Sequence, residues 1–255
     1  MVSVIMPAYN SGAYIQDAVT SVLNQTYENF ELLIVDDAST DNTEEIIRMF
    51  NDSRIRYFKN NSRMGAAICR NFALRNAKGK YVAFLDSDDL WLPEKLENQI
   101  AFMEQKGYAF SYTAYEEMDE TGNRSGKRVS GPETVSERGM YAYCWPGCLT
   151  VMYDKAQLGD LEIYPIERNN DYAMWLKLIK KADLHLLDEC LAVYRKRTDS
   201  VSGQKLSVLI RYHYLLYRLC DNRGKFQSIL LTGLNMICGV YKKLWYAKRT
   251  AGSKR

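Results

Sequence analysis

Four short apolar runs alternate with stretches of helical periodicity in the first 90 or so residues, and this alternation restricts the fold more than any other feature of the chain. VSVIMP leads through the turn AYNSG to Ile15, Ala18, Val19, Val22 and Leu23, which recur at helical spacing. The run Phe30 to Val35 ends in Asp36 and Asp37, and Asp41 with Glu44 has the spacing of a capping box for the helix TEEIIRMF. IRYFKN and NNSRMG precede a helix from about Ala66 to Ala77, and Tyr81 to Leu85 is the fourth run. Strands and helices alternating this closely build an α/β fold around a mostly parallel sheet with right-handed crossovers.

In such a sheet, ligands bind at the rim where the strands end. Two of the four strands end there in acid, at Asp36/Asp37 and at Asp86, Asp88 and Asp89. Strand alternation places Asp86 and Asp88 on one side, close enough to share a hard cation such as Mg²⁺ or Mn²⁺. Without a cation, the carboxylates would repel and raise one another's pKa. A helix cap explains Asp88 or Asp89 equally well, because LWLPEKLENQ follows with Pro93 in its first turn.

Beyond Tyr108 the pattern changes. AFSYTAYEEMDETGNRSGK reads as a strand and polar hairpin, and residues 125–140 have too little apolar periodicity for anything but a loop. WPGCLTVMYDKAQL returns to a strand and short helix. In PIERNNDYAMWLKLIKK, the residues Ala173, Leu176, Leu178 and Ile179 form an apolar helical face, with Asp171 at its front, placed as an N-cap or a helix-dipole partner. HLLDECLAVYRKRTDSVSG is a strand followed by a basic, hydroxyl-rich turn.

The last segment, 205–255, reads as a basic amphipathic helical tail, with Leu209, Tyr212, Leu216 and Leu219 on one face of its first helix. From Lys205 onward there are eleven Lys/Arg against Asp221 alone, so a whole-chain charge of +3 leaves −7 for residues 1–204. Basic amphipathic helices lie on anionic membrane surfaces. Helices packed on the core with a solvated basic end fit the pattern equally well. Acidic strand ends disfavour nucleic acid as a partner of the core. The six cysteines include no CxxC pair, so neither a zinc site nor a disulfide framework is indicated and a reduced, cytoplasmic setting is expected. Met1 to Met6 runs straight into a strand rather than a signal peptide, and no uncharged stretch reaches the roughly 18 apolar residues of a membrane span.

VSVIMPAYNSG, LNQTYENFELLIVDDASTDNT, GAAICRNFAL and YVAFLDSDD, in that order, resemble the motifs of a family 2 inverting glycosyltransferase of the GT-A fold, and the resemblance runs from residue 2 to about 200. It implies a GT-A nucleotide-diphospho-sugar transferase domain over 1–204, with 1–107 as the nucleotide-binding half, 108–204 as the acceptor half, and a C-terminal helical extension. Pro7, Ala8 and Tyr9 would then line the nucleotide pocket, Asp37 with Asp36 would bind uracil, and Arg70 would reach towards the nucleotide. Asp86 would lie near the ribose with Ser87 beside it, and Asp88 would hold the Mg²⁺ or Mn²⁺ that bridges the diphosphate and stabilises its developing charge.

Asp171 matches the second acid of the family's acidic pair, the base that deprotonates the acceptor hydroxyl, and Asn170 stands where a Glu is usual. Arg197 occupies a place where the family often has His, suited to a diphosphate contact that Ser200 and Ser202 would extend. Trp145 and Gly147 would stand on the acceptor side. The residues alone leave Arg70 open as a surface helix residue, Tyr9 and Trp145 as packing, and Arg197 as part of a solvated loop.

GCLTVMYDK, NDYAMWLKL and YRKRTDSVS are similar to segments of bacterial enzymes that build capsule, O-antigen or teichuronic-acid-like polysaccharides, often on lipid-linked acceptors. The resemblance therefore implies a hexosyltransferase that uses a UDP-sugar and a glycan or lipid-linked glycan acceptor, peripheral on the inner face of the plasma membrane. Two readings from other classes stand beside it. One is a nucleotidyltransferase acting on a sugar phosphate, although PAYNSG has no basic residue for a phosphate loop. The other is a non-catalytic protein that binds a membrane surface.

Overall fold

The computed structural model describes residues 1–197 and 206–249. Strands β1 (Val2–Ala8), β2 (Phe30–Asp36), β3 (Ile55–Lys59) and β4 (Tyr81–Phe84) pair in parallel in the order β3-β2-β1-β4. Their alternating side chains divide the core into two layers. Ile5, Leu33 and Val35 pack on one face with Ala73 of helix α3 (Ala66–Asn76), while Val4, Met6, Leu32 and Ile34 pack on the other with Ile15, Val19 and Val22 of α1 (Ile15–Leu23). Burial on both faces explains why β1, β2 and β4 read as continuous apolar runs, whereas β3 at the sheet edge is only partly buried.

Outward from β4 the sheet becomes mixed. β9 (Met152–Asp154) runs antiparallel between β4 and β6 (Phe110–Met118), and β6 forms the expected hairpin with β7 (Arg124–Val129). The long β10 (Leu184–Arg195) lies parallel to β6 and takes the two-residue strands β5 (Leu90–Trp91) and β8 (Thr134–Val135) antiparallel. Helices α2 (Thr43–Met49), α4 (Lys95–Lys106), α5 (Glu137–Ala142), α6 (Lys155–Leu158) and α7 (Asn170–Leu178) complete the layers. The chain then continues through α8 (Leu206–Leu215), a π-helical turn at Leu216–Cys220, α9 (Lys225–Trp245) and β11 (Ala247–Arg249).

Four expectations are corrected. Residues 125–140 are not a loop but β7, β8 and most of α5; their buried anchors Val129, Val135 and Met140 are too widely spaced among charged edge residues to show a period. Asp41 and Glu44 make no capping box: Asp41 accepts the Thr43 N–H and hydroxyl and the Gly12 N–H, while Glu44 turns out to Arg48 and Lys59. Asp88 and Asp89 do not cap α4, because β5 and Pro93 intervene and the helix starts only at Lys95. In the tail, Leu216 is buried but Leu209 and Leu219 are exposed, and Leu219 lies in a π-helical turn that shifts the helical register after Leu215. The segment also contains a strand no periodicity foretold, β11, which pairs antiparallel with β7.

Candidate active site

The loops that follow β1, β2 and β4 meet at one rim of the sheet. Ser11 and Ser87 join two of them through hydroxyls 2.6 Å apart, and the Asp37 N–H donates to the Ala8 carbonyl at 2.8 Å. Three non-glycine residues around the site adopt left-handed φ: Asn10 (47°), Ala38 (61°) and Asn169 (57°). Asn tolerates this region, whereas for Ala38 it costs on the order of 1–2 kcal/mol and must be held by its surroundings.

Asp36 and Asp37 are both buried. Asp36 accepts the Ser39 N–H and the Tyr57 hydroxyl, each at 2.8 Å. Asp37 accepts the backbone N–H groups of Met64 and Gly65 at 2.7 Å and the Asn60 amide at 2.9 Å. Burial alone would raise the Asp37 carboxyl, but these donors outweigh it and hold the pKa below the usual value. Gly65 is at φ 91°, a conformation that favours glycine and aims its N–H at the carboxylate.

The stability Asp37 contributes is therefore present at neutral pH and lost as pH falls through its depressed folded pKa. Asp37→Ala is expected to destabilise the protein by about 2–4 kcal/mol, read as a lower urea midpoint. A midpoint within error of wild type would show that the loop is held by other contacts. Pro7 and Ala8 end β1 beneath this loop, and Tyr9 is half-exposed with the Arg63 guanidinium 4.2 Å from its ring centre.

β4 ends at Phe84, so strand alternation is not what gathers the acids after it. A tight turn does so, closed by the Asp89 N–H donating to the Asp86 carbonyl at 3.1 Å. Asp89 is fully buried and accepts the Arg195 N–H at 2.8 Å, and the Arg195 Nε donates to the Asp88 carbonyl at 2.9 Å. The end of β10 thus straps the turn. Burial, followed by the negative charges of Asp88 and Asp86, pushes the Asp89 carboxyl well above the usual range. Burial and the Asp86 charge also raise Asp88, against the pull of Arg197, whose guanidinium lies 3.2 Å from the Asp88 carboxylate. Tyr14 lies against the guanidinium groups of Arg195 and Arg197. Ser200 and Ser202 lie outside the described residues.

Arg70 connects the two halves of the chain. It is buried on α3, pairs with Asp86, and donates to the Asn170 side-chain oxygen at 2.5 Å. Asp171 follows in the first turn of α7 and accepts its neighbour Tyr172's N–H at 2.8 Å. Burial raises the Asp171 carboxyl despite the opposing Arg70 charge, with Asp86 adding to the rise. Asn170, which departs from the family pattern, has a physical reason: Arg70 is already neutralised by Asp86, so a neutral acceptor completes its bonding without a second negative charge. Replacing Arg70 by Met should destabilise the fold by about 2–3 kcal/mol, because a partly exposed Asp86 and a buried Asn170 lose their partner. A denaturation midpoint unchanged in Arg70→Met would remove it as the link.

Trp145 is 7% exposed, donates its indole N–H to the Gly139 carbonyl and packs between Tyr143 and Tyr246. This is the packed alternative for that residue. Gly147 lies nearby against Leu149 and Tyr115, too close for a Cβ without movement. No sequence pattern marks Asn170, Arg195 or Ser11 as a site residue. Arg195 was detectable only as the arginine of the YR at the strand end, and nothing in the spacing marks Ser11.

Among the described residues no cluster of three or more His, Cys, Asp and Glu could hold a metal ion alone. The turn nevertheless fits a hard divalent cation. Asp86 and Asp88 stand close together with one guanidinium partner each, Arg70 and Arg197, and Mg²⁺ typically binds through one or two carboxylates plus substrate phosphates and water. Asp88, with Asp86 beside it, would hold such an ion.

The glycosyl transferase family 2 model matches residues 3–162. A Bacillus subtilis (strain 168) protein named as a teichuronic acid biosynthesis glycosyltransferase, TuaG, is 44% identical over 210 residues, covering 80% of this chain and 82% of its own. An Escherichia coli protein named UDP-Glc:alpha-D-GlcNAc-diphosphoundecaprenol beta-1,3-glucosyltransferase, WfaP, is 41% identical over 220 residues, 85% of each chain. Among solved structures, S. aureus TarS in complex with UDP-GlcNAc superposes with a TM-score of 0.69 at 23% identity, covering 91% of this chain and 70% of that one. Mannosyltransferase PcManGT from Pyrobaculum calidifontis, in complex with GDP-Man and Mn²⁺, gives 0.64 at 19%, covering 91% and 68%. These likenesses establish the GT-A fold.

Proposed function

The chain belongs to glycosyl transferase family 2 and is a glycosyltransferase, and from that premise we propose that it is an inverting hexosyltransferase acting on a UDP-sugar. The acceptor is a hydroxyl of a lipid-linked glycan, made into cell-surface polysaccharide on the cytoplasmic face of the membrane. Residues 1–107 hold the donor and 108–204 the acceptor. Pro7, Ala8, Tyr9, Asp36 and Asp37 shape the uridine end, Asp86 and Ser87 lie towards the ribose, and Asp88 holds Mg²⁺ or Mn²⁺. The names of relatives that use UDP-Glc and a diphosphoundecaprenol acceptor support this substrate class.

One observation carries the reading. Arg70 touches both Asp86 and Asn170, so the acidic turn and Asp171 belong to one electrostatic cluster. Asp171 takes the proton of the acceptor hydroxyl as its oxygen bonds to the anomeric carbon, while the bond from that carbon to the diphosphate breaks and UDP leaves with the electron pair. Attack from the face opposite the leaving group inverts the anomeric centre. Burial brings the Asp171 pKa closer to the working pH, as a general base requires. A bound divalent cation supplies Lewis-acid stabilisation of the departing diphosphate, and Arg197 adds positive charge at the same end.

The test is a panel of UDP-α-sugars offered with a GlcNAc-diphospho-lipid acceptor, with UDP release and the anomeric configuration of the product as readouts. We expect acceptor-dependent UDP release and a β-linked product. An α-linked product would sink the inverting mechanism, and no transfer from any UDP-sugar would sink the donor class.

A further inference from the structure

Helix α9 is docked the wrong way round for a soluble helix. Its buried residues include Ser228, Thr232, Asn235 and Lys242, whereas Phe226, Ile229, Ile237, Val240, Leu244 and Trp245 are exposed. Ile237 is 69% and Leu244 65% exposed, while Asn235 is only 1% exposed. Phe226, Leu230, Leu234, Ile237, Tyr241 and Leu244, all exposed, recur every three or four positions, and with Ile229, Val240 and Trp245 beside them they form one stripe along the helix.

The Ser228 and Thr232 hydroxyls donate back to the Gly224 and Ser228 carbonyls, while the other two members of the polar row have partners in the core. Asn235 donates towards the hydroxyls of Tyr172 and Tyr217 at 3.3 and 3.4 Å, and the Lys242 ammonium donates to the Trp145 carbonyl at 2.5 Å. The polar face thus fixes the helix to the domain, and the apolar face is left outward by construction. Soluble proteins rarely leave so continuous an apolar stripe uncovered.

We infer that the outward face of α9 is a membrane-docking surface, lying in the headgroup region of an anionic bilayer. The charge around it points to that occupant. Lys225 and Lys243 are exposed on α9 and Lys248 just beyond it, and Asp221 is the one acidic residue after Lys205. Asp221 is itself neutralised by Lys180 and Arg223. Basic residues bordering an apolar helical stripe match anionic headgroups above acyl chains. Tyr241 and Trp245 stack at 4.9 Å near the helix end, the aromatic types that favour the membrane interface. Among the described residues no helix is long and apolar enough to cross a membrane, so α9 lies on the bilayer. The inference deepens the lipid-linked acceptor reading and rests on it for preferring a membrane to a protein partner.

The full chain is mixed with vesicles of pure phosphatidylcholine or of phosphatidylcholine with phosphatidylglycerol, without sugar nucleotide, and co-sedimentation is measured. Failure here is therefore distinguishable from failure of the transferase reading. We expect binding to the anionic vesicles that weakens as salt rises. Trp245 is exposed while Trp91, Trp145 and Trp175 are buried, so the emission of one indole should shift to the blue on binding. Ile237→Glu should weaken binding at least about tenfold, the factor for burying one such side chain, and leave the melting temperature unchanged because the site is exposed. Lys243→Glu should weaken binding to anionic vesicles in the same way. Three results would overturn the inference: wild-type protein left in the supernatant, equal binding to both vesicle types, or a stable dimer in solution that Ile237→Glu disperses.

Discussion

Asp171→Asn is expected to lower kcat by about 10²–10⁴-fold, the usual contribution of a positioned general base, while UDP affinity and the melting temperature stay close to wild type. The substitution keeps size and leaves an oxygen to accept the Tyr172 N–H, so the first turn of α7 survives. What it removes is the one carboxylate of this helix start. The pH profile gives a second, independent readout. Burial raises the wild-type Asp171 carboxyl, and a base works only when deprotonated, so kcat/KM should fall as pH drops through a midpoint above the ordinary Asp value of about 3.9. That acidic limb should vanish in the variant. Turnover near wild type would remove Asp171 from the chemistry, whereas a loss of UDP binding would mean that it holds the donor.

The parts of this site that the sequence disclosed are those in which local pattern and three-dimensional role coincide. β1, β2 and β4 are buried on both faces and therefore appear as apolar runs, and the acids that end β2 and β4 appear where such runs stop. Resemblance, rather than spacing, picked out Arg70 and Asp171, which lie on helices whose periodicity says nothing about what a polar residue faces. The links between distant segments left no local trace. Arg70 meets a partner 100 residues away, and the backbone N–H of Arg195 meets Asp89 across 106. Apart from Leu219, which the π-helical turn moves outward, the segments that depart from expectation share one cause. Residues 125–140 and the tail pack through single anchors or through polar atoms, and α9 in particular turns its hydrophilic row inward. A reading based on apolar periodicity assigns such a helix the wrong buried face, because the periodicity is real and only its direction is reversed.

Asp88→Ala should abolish the metal dependence of UDP binding. With Mg²⁺ or Mn²⁺ present, wild-type affinity is expected to exceed that of the variant by about 10²-fold, the size of effect seen when one preorganised electrostatic group is removed from a site, and excess EDTA should bring the two together. In the proposed site Asp88 is the principal carboxylate acting with the diphosphate, and losing it would leave Asp86, which is already paired with Arg70.

Stability separates this role from a structural one. Asp88 is raised by burial and by the Asp86 charge, so its ionised form costs stability at neutral pH, a cost removed as pH falls through its folded pKa. Deleting it should also relieve Asp89, which feels the Asp88 charge. The variant is therefore expected to be as stable as wild type within about 0.5 kcal/mol, or more stable. A protein that melts lower and still binds UDP in a metal-dependent way would make Asp88 a fold residue. Wild-type UDP affinity indifferent to EDTA would remove the cation itself. If instead binding is lost and stability is kept, the turn holds its unfavourable charge for the ligand's sake, and Arg197, 3.2 Å from that carboxylate, is the group the incoming cation and diphosphate must displace or share.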